Sequence, residues 1–139
     1  MRADPDARRI RAQLMVWWII WASILTGLGM VYFALGRGPA KPLLPGASPF
    51  TGLAGLVPLF VSIIIRWLVL PRFTDLKQAF PLFIVGLALA DACGFLGIFL
   101  GGAYKDEIVV LGVLGVAQFM PFFARQYLEP KPQGYIPNN

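Results

Sequence analysis

The sequence contains 139 residues with a formal net charge of +5, and 58% of the residues are hydrophobic while only 14% are charged. Soluble domains average about 25% charged and 45–50% apolar residues, and the mean hydropathy of this chain is +0.69. A water-soluble monomer of this length cannot bury so much apolar surface. The composition therefore favours membrane-spanning helices, each of which needs roughly 20 residues to cross the hydrocarbon core.

The sequence has no histidine and a single cysteine, Cys93. This excludes an intrachain disulfide and removes the usual residues of haem, zinc and histidine-based catalytic sites. We therefore expect no cofactor, no metal site and no enzymatic activity. The lysines and arginines lie at the ends of apolar runs, which fits membrane topology better than a nucleic-acid-binding face. The expected partner is the lipid bilayer.

In chain order, a polar and arginine-rich segment, residues 1–13, comes before the first apolar run. Residues 36–50, between the first and second runs, hold four prolines and three glycines and cannot form a regular helix. Pro58 predicts a kink inside the second span. Pro81 falls in the first turn of the third span, where its missing N–H has little effect. The four predicted spans are about 14–35, 52–70, 79–101 and 108–124.

These spans predict an all-α fold, a transmembrane antiparallel four-helix bundle that forms a single membrane domain over 1–139 with short polar termini. Nine lysines and arginines lie on the side of the two termini, against three on the other side. The positive-inside rule then places the N- and C-termini in the cytoplasm. Arg66 lies near the end of the second span and is expected to extend outward to the interface. The tryptophans are expected to be interface anchors; they are Trp17, Trp18, Trp21 and Trp67.

The most unusual residue of the apolar runs is Asp91, in the stretch "ALADACGFLGIF" of the third span. A charged aspartate at the bilayer centre is unfavourable by about 2.5–3.5 kcal/mol. At 1.5 Å per residue, Asp91 lies about 15 Å from the outer end of its span, and one interior polar residue of each other span lies at a similar depth. We predict an intramembrane polar layer in which Asp91 is hydrogen-bonded to Gln118 or to a hydroxyl group. Its members are Asp91, Gln118, Thr26 and Ser62.

Small residues recur along the third span at spacings that permit close approach of a neighbouring helix. They are Gly86, Ala90, Gly94 and Gly97. We predict that these residues form a helix-packing face, so that Asp91 lies on a tightly packed helix and faces protein more than lipid.

The stretch around Asp91 resembles the ion-carrying helix of the c subunits of rotary ATP synthases. Ala88, Leu89, Ala92 and Gly97 match the small and aliphatic residues of that pattern, and the resemblance implies that Asp91 is the carboxylate that binds a proton or sodium ion. The match covers about a dozen residues, and the preceding span lacks the repeated glycines of the family's inner helix.

A second resemblance covers more of the chain. The "IIWA" stretch of the first span and the Ala-Leu-x-acid-Ala…Gly stretch of the third are similar to those of small four-span bacterial membrane proteins of unknown function. This resemblance implies a four-span fold and a multi-pass location in the bacterial inner membrane, and it implies no activity.

Two functional hypotheses follow from these residues. The first is a non-enzymatic structural or accessory membrane protein that is a subunit of a larger membrane complex or a homo-oligomer. The alternative is a proton- or cation-translocating component that uses the intramembrane carboxylate of Asp91, with Gln118 as its nearest partner. Intramembrane acids justify the second hypothesis, although a pathway normally needs more polar residues than one layer provides.

Overall fold

The chain folds into helices. The computed structural model describes residues 5–38, 53–73 and 76–124, and no strand occurs among them. The predicted all-helical class is confirmed, with four α-helices in the described part of the chain. They are α1 (Pro5–Val31), α2 (Leu56–Ile64), α3 (Leu76–Leu100) and α4 (Lys105–Ala117).

Shorter helical turns extend three of these helices. α1 continues into a π-helical turn at Tyr32–Gly36, and α2 continues through a π-helical turn at Ile65–Val69 and a 3₁₀ turn at Leu70–Arg72. A 3₁₀ turn at Gly102–Tyr104 leads into α4, and another follows it at Pro121–Ala124. π-Helical turns inside longer helices are rare and frequently lie at functional sites.

With these turns included, each of the four helical segments is long and apolar enough to cross a membrane. They agree with the four predicted apolar runs, although the first and the fourth segments each begin about six residues earlier than predicted. The candidate spans are Arg8–Gly36, Leu53–Arg72, Lys77–Leu100 and Gly102–Ala124.

Two prolines lie at places within their helices that differ from the predicted ones. Pro58 lies in the first turn of α2, where its missing N–H would have no partner in any case. The irregular part of this segment is instead the π-helical turn at Ile65–Val69. Pro81 lies inside α3, because that helix begins at Leu76 and not at the start of the apolar run.

The core at one end of the molecule is an aromatic cluster around Trp17. This side chain is only 2% exposed, and its ring lies 4.4 Å from that of Phe83 between centroids. Phe80 and Phe123 also pack against Trp17. Trp17 is therefore a core residue and not the interface anchor that its position near a span end predicts. Three phenylalanines from α3 and from the end of the fourth segment surround it.

The most extensive helix contact joins α3 and α4, and glycines bring the two backbones together. A Cβ atom at Gly112 would lie 2.6 Å from the Cα atom of Gly94. A Cβ atom at Gly115 would lie 3.2 Å from the Cβ atom of Ala90. Only the absence of side chains on these glycines allows such an approach, as is common between membrane helices.

Candidate functional site

The polar residues of the predicted layer are divided between a hydrogen-bonded cluster and an isolated carboxylate. The structure brings Ser62 and Gln118 together, 3.4 Å apart between Oγ and Nε2. Asp91 and Thr26 do not bond to these two residues. Thr26 is exposed on α1.

Ser62 is fully buried on α2 and connects three helical segments. Its hydroxyl group donates a hydrogen bond to the backbone carbonyl of Gly86 on α3, with an Oγ–O distance of 2.9 Å. The side-chain amide of Gln118 donates to the same hydroxyl oxygen. A buried hydroxyl group with both a donor and an acceptor is fully satisfied, so Ser62 links α2 to α3 and to the end of α4.

Gln118 can reach Ser62 because α4 ends there. Proline disfavours the helical conformation of the preceding residue and has no N–H to donate. Pro121 therefore ends the regular helix at Ala117, and Gln118 becomes its C-terminal cap. The carbonyl oxygen of Gln118 is then open to a partner from another helix. It accepts a hydrogen bond from Nε of Arg66 at 2.8 Å.

Arg66 completes the cluster together with Trp67, and both belong to the π-helical turn of the second segment. The guanidinium carbon of Arg66 lies 4.0 Å from the ring centroid of Phe123, a cation–π geometry. Trp67 donates its indole N–H to Oε1 of Gln118 at 3.1 Å. We refer to Ser62, Arg66, Trp67 and Gln118 as the polar cluster.

Arg66 therefore belongs to the polar cluster, whereas its position near the end of the second span predicts only an outward extension to the interface. The sequence feature that indicates a site here is Pro121, three residues after Gln118. A proline inside an apolar run predicts unpaired carbonyl groups one turn earlier. Arginine has donors in a fixed planar arrangement that suits such carbonyl groups.

Asp91 lies in the middle of α3 and is half-buried. Its neighbours Ala90 and Cys93 are fully buried. The oxygen Oδ1 of Asp91 is buried and has no hydrogen-bond partner, and among the described residues no other buried side-chain nitrogen or oxygen atom lacks one. The side-chain amide of Gln118, its expected partner, bonds to Ser62 and Trp67 instead. An unpaired buried acceptor destabilises a fold by about 1–3 kcal/mol.

The four small residues predicted to form a packing face lie at helix contacts. Gly94 faces both Leu28 of α1 and Gly112 of α4. A Cβ atom at Gly97 would lie 2.9 Å from Ile108, and one at Gly86 would lie 2.7 Å from Cε1 of Phe119. Ala90, fully buried, faces Gly115. Gly112 and Gly115, the glycines of α4 that face this side of α3, are not among the predicted packing residues.

Within the ranges that the structure describes, no three histidine, cysteine, aspartate or glutamate residues come close enough to hold a metal ion. No protein-family model matches the chain, and comparison with curated proteins and with solved structures found no match. The arrangement of its own residues is therefore the basis for any functional assignment.

Proposed function

We propose that this chain is a multi-pass membrane protein with a structural or accessory role, without enzymatic activity, which acts as a subunit of a larger membrane complex or as a homo-oligomer. One observation carries the proposal. Large apolar side chains cover the outer faces of all four helical segments, such as Met30, Val57, Val85 and Phe122, each between 49% and 68% exposed. In water such a surface is unfavourable, whereas in lipid it is the required one.

Contacts between the helices support the antiparallel arrangement of the proposed bundle. Along the contact between α3 and α4, residue numbers rise on one helix as they fall on the other. The facing pairs are Gly86 with Phe119, Ala90 with Gly115, Gly94 with Gly112, and Gly97 with Ile108. The same trend joins α1 to α4, where Trp21 donates to the Val116 carbonyl and Tyr32 donates to Asp106.

The excess of lysine and arginine on one side supports an orientation with both termini in the cytoplasm. The bacterial inner membrane is proposed as the location on the basis of two short stretches alone, "IIWA" of the first span and "ALADA" of the third. In this orientation, Lys105 and the end of α1 lie at the outer surface. There the ammonium group of Lys105 donates hydrogen bonds to the carbonyl oxygens of Gly36 and Gly38. This contact holds the outer ends of the first and fourth segments together.

The polar cluster supports a structural role. Its side chains bond to one another and to the backbone carbonyl groups of Gly86 and Gln118, and it joins the second, third and fourth segments. Satisfied networks of this kind favour one arrangement of a core. Each hydrogen bond between membrane helices contributes only about 0.6 kcal/mol on average. Because this contribution is small, we propose that the cluster fixes the register of the helices as well as adding stability.

Membrane insertion and orientation are tested by cysteine labelling in intact cells, after replacement of Cys93 by serine. Cysteines are introduced one at a time at Arg37 and at Lys77, which lie at opposite ends of the spans. We expect a membrane-impermeant maleimide to label position 37 in intact cells and position 77 only after lysis. Extraction of the chain by alkaline carbonate, or labelling of both positions from outside, would contradict the proposal.

A specific observation favours a second candidate function, the translocation of protons or cations. The buried and unpaired Oδ1 of Asp91 is an acceptor that a proton, a cation or a donor from another chain would satisfy. The test is ion flux into vesicles that contain the purified chain, compared with its Asp91→Asn variant. Flux in the wild type that the variant loses while remaining assembled supports translocation. Absence of flux in both supports the structural role.

A further inference from the structure

A second feature of the molecule, distinct from the polar cluster, is an apolar groove between α1 and α4 at the end where Tyr32 and Asp106 lie. The groove has a volume of about 300 Å³, and its walls include Leu28, Gly29, Phe33 and Val110. Gly29 forms part of the groove because it has no side chain. A Cβ atom there would meet nothing within 4 Å.

The dimensions of the groove fit a single hydrocarbon chain. From Asp106 to Leu114, both of which line it, the groove follows α4 for about 12 Å at 1.5 Å per residue. Its volume then corresponds to a mean cross-section of about 25 Å², whereas an α-helix about 10 Å wide has about 80 Å². A whole helix of a second protein is therefore too wide to lie inside the groove, and only its side chains would enter. In the proposed bundle the groove is parallel to the helices, and therefore to the acyl chains of the surrounding lipid.

Two opposite charges lie at the polar end of the groove. Asp106 lines the groove, and its side chain is 67% exposed. Its Oδ1 accepts a hydrogen bond from the Tyr32 hydroxyl at 2.9 Å. Lys105 lies 4.0 Å from the same oxygen, but its ammonium group also donates to the carbonyl groups of Gly36 and Gly38. An exposed carboxylate at the mouth of an apolar groove favours a ligand with a cationic headgroup.

The positive charge is that of Arg37, which is exposed and lies with its guanidinium carbon 4.4 Å from the ring centroid of Phe33, a residue of the groove wall. The hydrogen bonds from Lys105 to Gly36 and Gly38 fix the backbone on both sides of Arg37. Guanidinium groups bind phosphate oxygens strongly. An acidic and a basic side chain beside one groove match a headgroup that has both a phosphate and an ammonium group.

We propose that this groove binds one acyl chain of a phospholipid with a primary-amine headgroup, phosphatidylethanolamine, with its ammonium group at Asp106 and its phosphate at Arg37. This inference rests on the proposed membrane location. Phosphatidylglycerol has a phosphate and acyl chains but no ammonium group, so it provides the comparison that isolates the contribution of Asp106.

The test is native mass spectrometry of the full chain in detergent, titrated with dioleoyl phosphatidylethanolamine or with dioleoyl phosphatidylglycerol. We expect the ethanolamine lipid to be retained about two- to fivefold more tightly, the range of an exposed ion pair. We expect Gly29→Leu, which fills the groove, to reduce retention about fivefold or more. Gly27→Leu is the matched control, because Gly27 also has nothing within 4 Å of a Cβ atom but is not part of the groove wall.

A second pair of variants tests the headgroup without any change of volume. Asp106→Asn still accepts the hydrogen bond from Tyr32 but loses its charge, and we expect it to remove the preference for the ethanolamine lipid. Glu107→Gln, the adjacent exposed carboxylate, is expected to keep the preference. Equal retention of the two lipids by the wild type, or equal retention by the Gly29 and Gly27 variants, overturns the inference. The inference is also overturned if the wild type forms a dimer that Gly29→Leu loses whether or not lipid is present. The inference can fail in these ways while cysteine labelling still supports the proposed membrane location.

Discussion

Ser62 and Asp91 are both polar residues within apolar helices, at similar predicted depths, and their surroundings differ. Ser62 is next to the place where α4 is interrupted, and the amide of Gln118 at that interruption reaches its hydroxyl group. Asp91 lies in the middle of α3, far from either end of that helix, and its Oδ1 has no partner. In this molecule, the amide and carbonyl groups of Gln118 become available to other helices because α4 is interrupted there, and depth alone does not provide Asp91 with such a partner. The polar cluster should therefore stabilise the fold while Asp91 destabilises it.

The largest expected effect is that of Arg66→Met, which removes a charge-assisted hydrogen bond and a cation–π contact from the polar cluster. We expect it to lower the free energy of unfolding by about 3 kcal/mol. The measurement is unfolding by dodecyl sulfate in mixed micelles, followed by circular dichroism. Arg37→Met is the matched control, since its guanidinium group also lies over a phenylalanine ring but is exposed. Its expected loss is below about 1 kcal/mol, and equal losses for the two variants would contradict the account.

Asp91→Leu is expected to change the free energy of unfolding in the opposite direction. Leucine has the same branched shape and removes the unpaired buried acceptor, so the free energy of unfolding of the isolated chain should rise by about 1–2 kcal/mol. The same micelle assay measures it, and Asp91→Asn, which keeps a polar group at this position, should change stability less. A clear loss of stability for Asp91→Leu would show that the carboxyl group has a stabilising partner.

Ser62→Ala should lower the free energy of unfolding by about 1 kcal/mol, because it removes the hydrogen bond to the Gly86 carbonyl and leaves the Gln118 amide without its acceptor. Ser23→Ala serves as the control, since Ser23 is exposed on α1 and its removal should change stability by less than about 0.5 kcal/mol. If both serine variants behave alike in the micelle assay, the cluster does not hold the helices in register.

The smallest expected effect is that of Trp67→Phe, which keeps most of the ring but loses the indole N–H that donates to Oε1 of Gln118. A loss of about 0.5 kcal/mol is expected, near the average for hydrogen bonds between membrane helices. In the Ser62→Ala background the loss should become smaller, since both side chains act through Gln118. Strict additivity in this double-mutant cycle would count against a connected network.

The number and type of helices could be predicted from the sequence, because long apolar runs with few charges have few alternatives in lipid. The ends of the helices were less predictable. α3 begins at Leu76, before the apolar run starts, and the fourth segment is interrupted at Gln118. Polar residues can belong to a helix, and a proline inside an apolar run can interrupt one, so hydropathy alone does not mark these limits.

The polar residues show that counting residues along a helix predicts their depth but not the direction in which they face. Counting from a helix end gives depth to about one turn, and it placed Ser62 and Gln118 at one depth together with Asp91 and Thr26. It does not give direction around the helix axis, which changes by about 100° per residue. Thr26 faces outward from α1 for this reason. Arg66 joins the polar cluster through a π-helical turn that no apolar pattern indicates.

The central claim is that the outer apolar faces contact lipid, and spin-label accessibility in reconstituted vesicles tests it most directly. A label at Leu114, which is 59% exposed and lies well inside the fourth segment, should relax with dissolved oxygen and not with a water-soluble nickel complex. A label at Asp106, near the start of the same segment, should relax with the nickel complex. Strong relaxation of the Leu114 label by nickel would place that face in water and contradict the account.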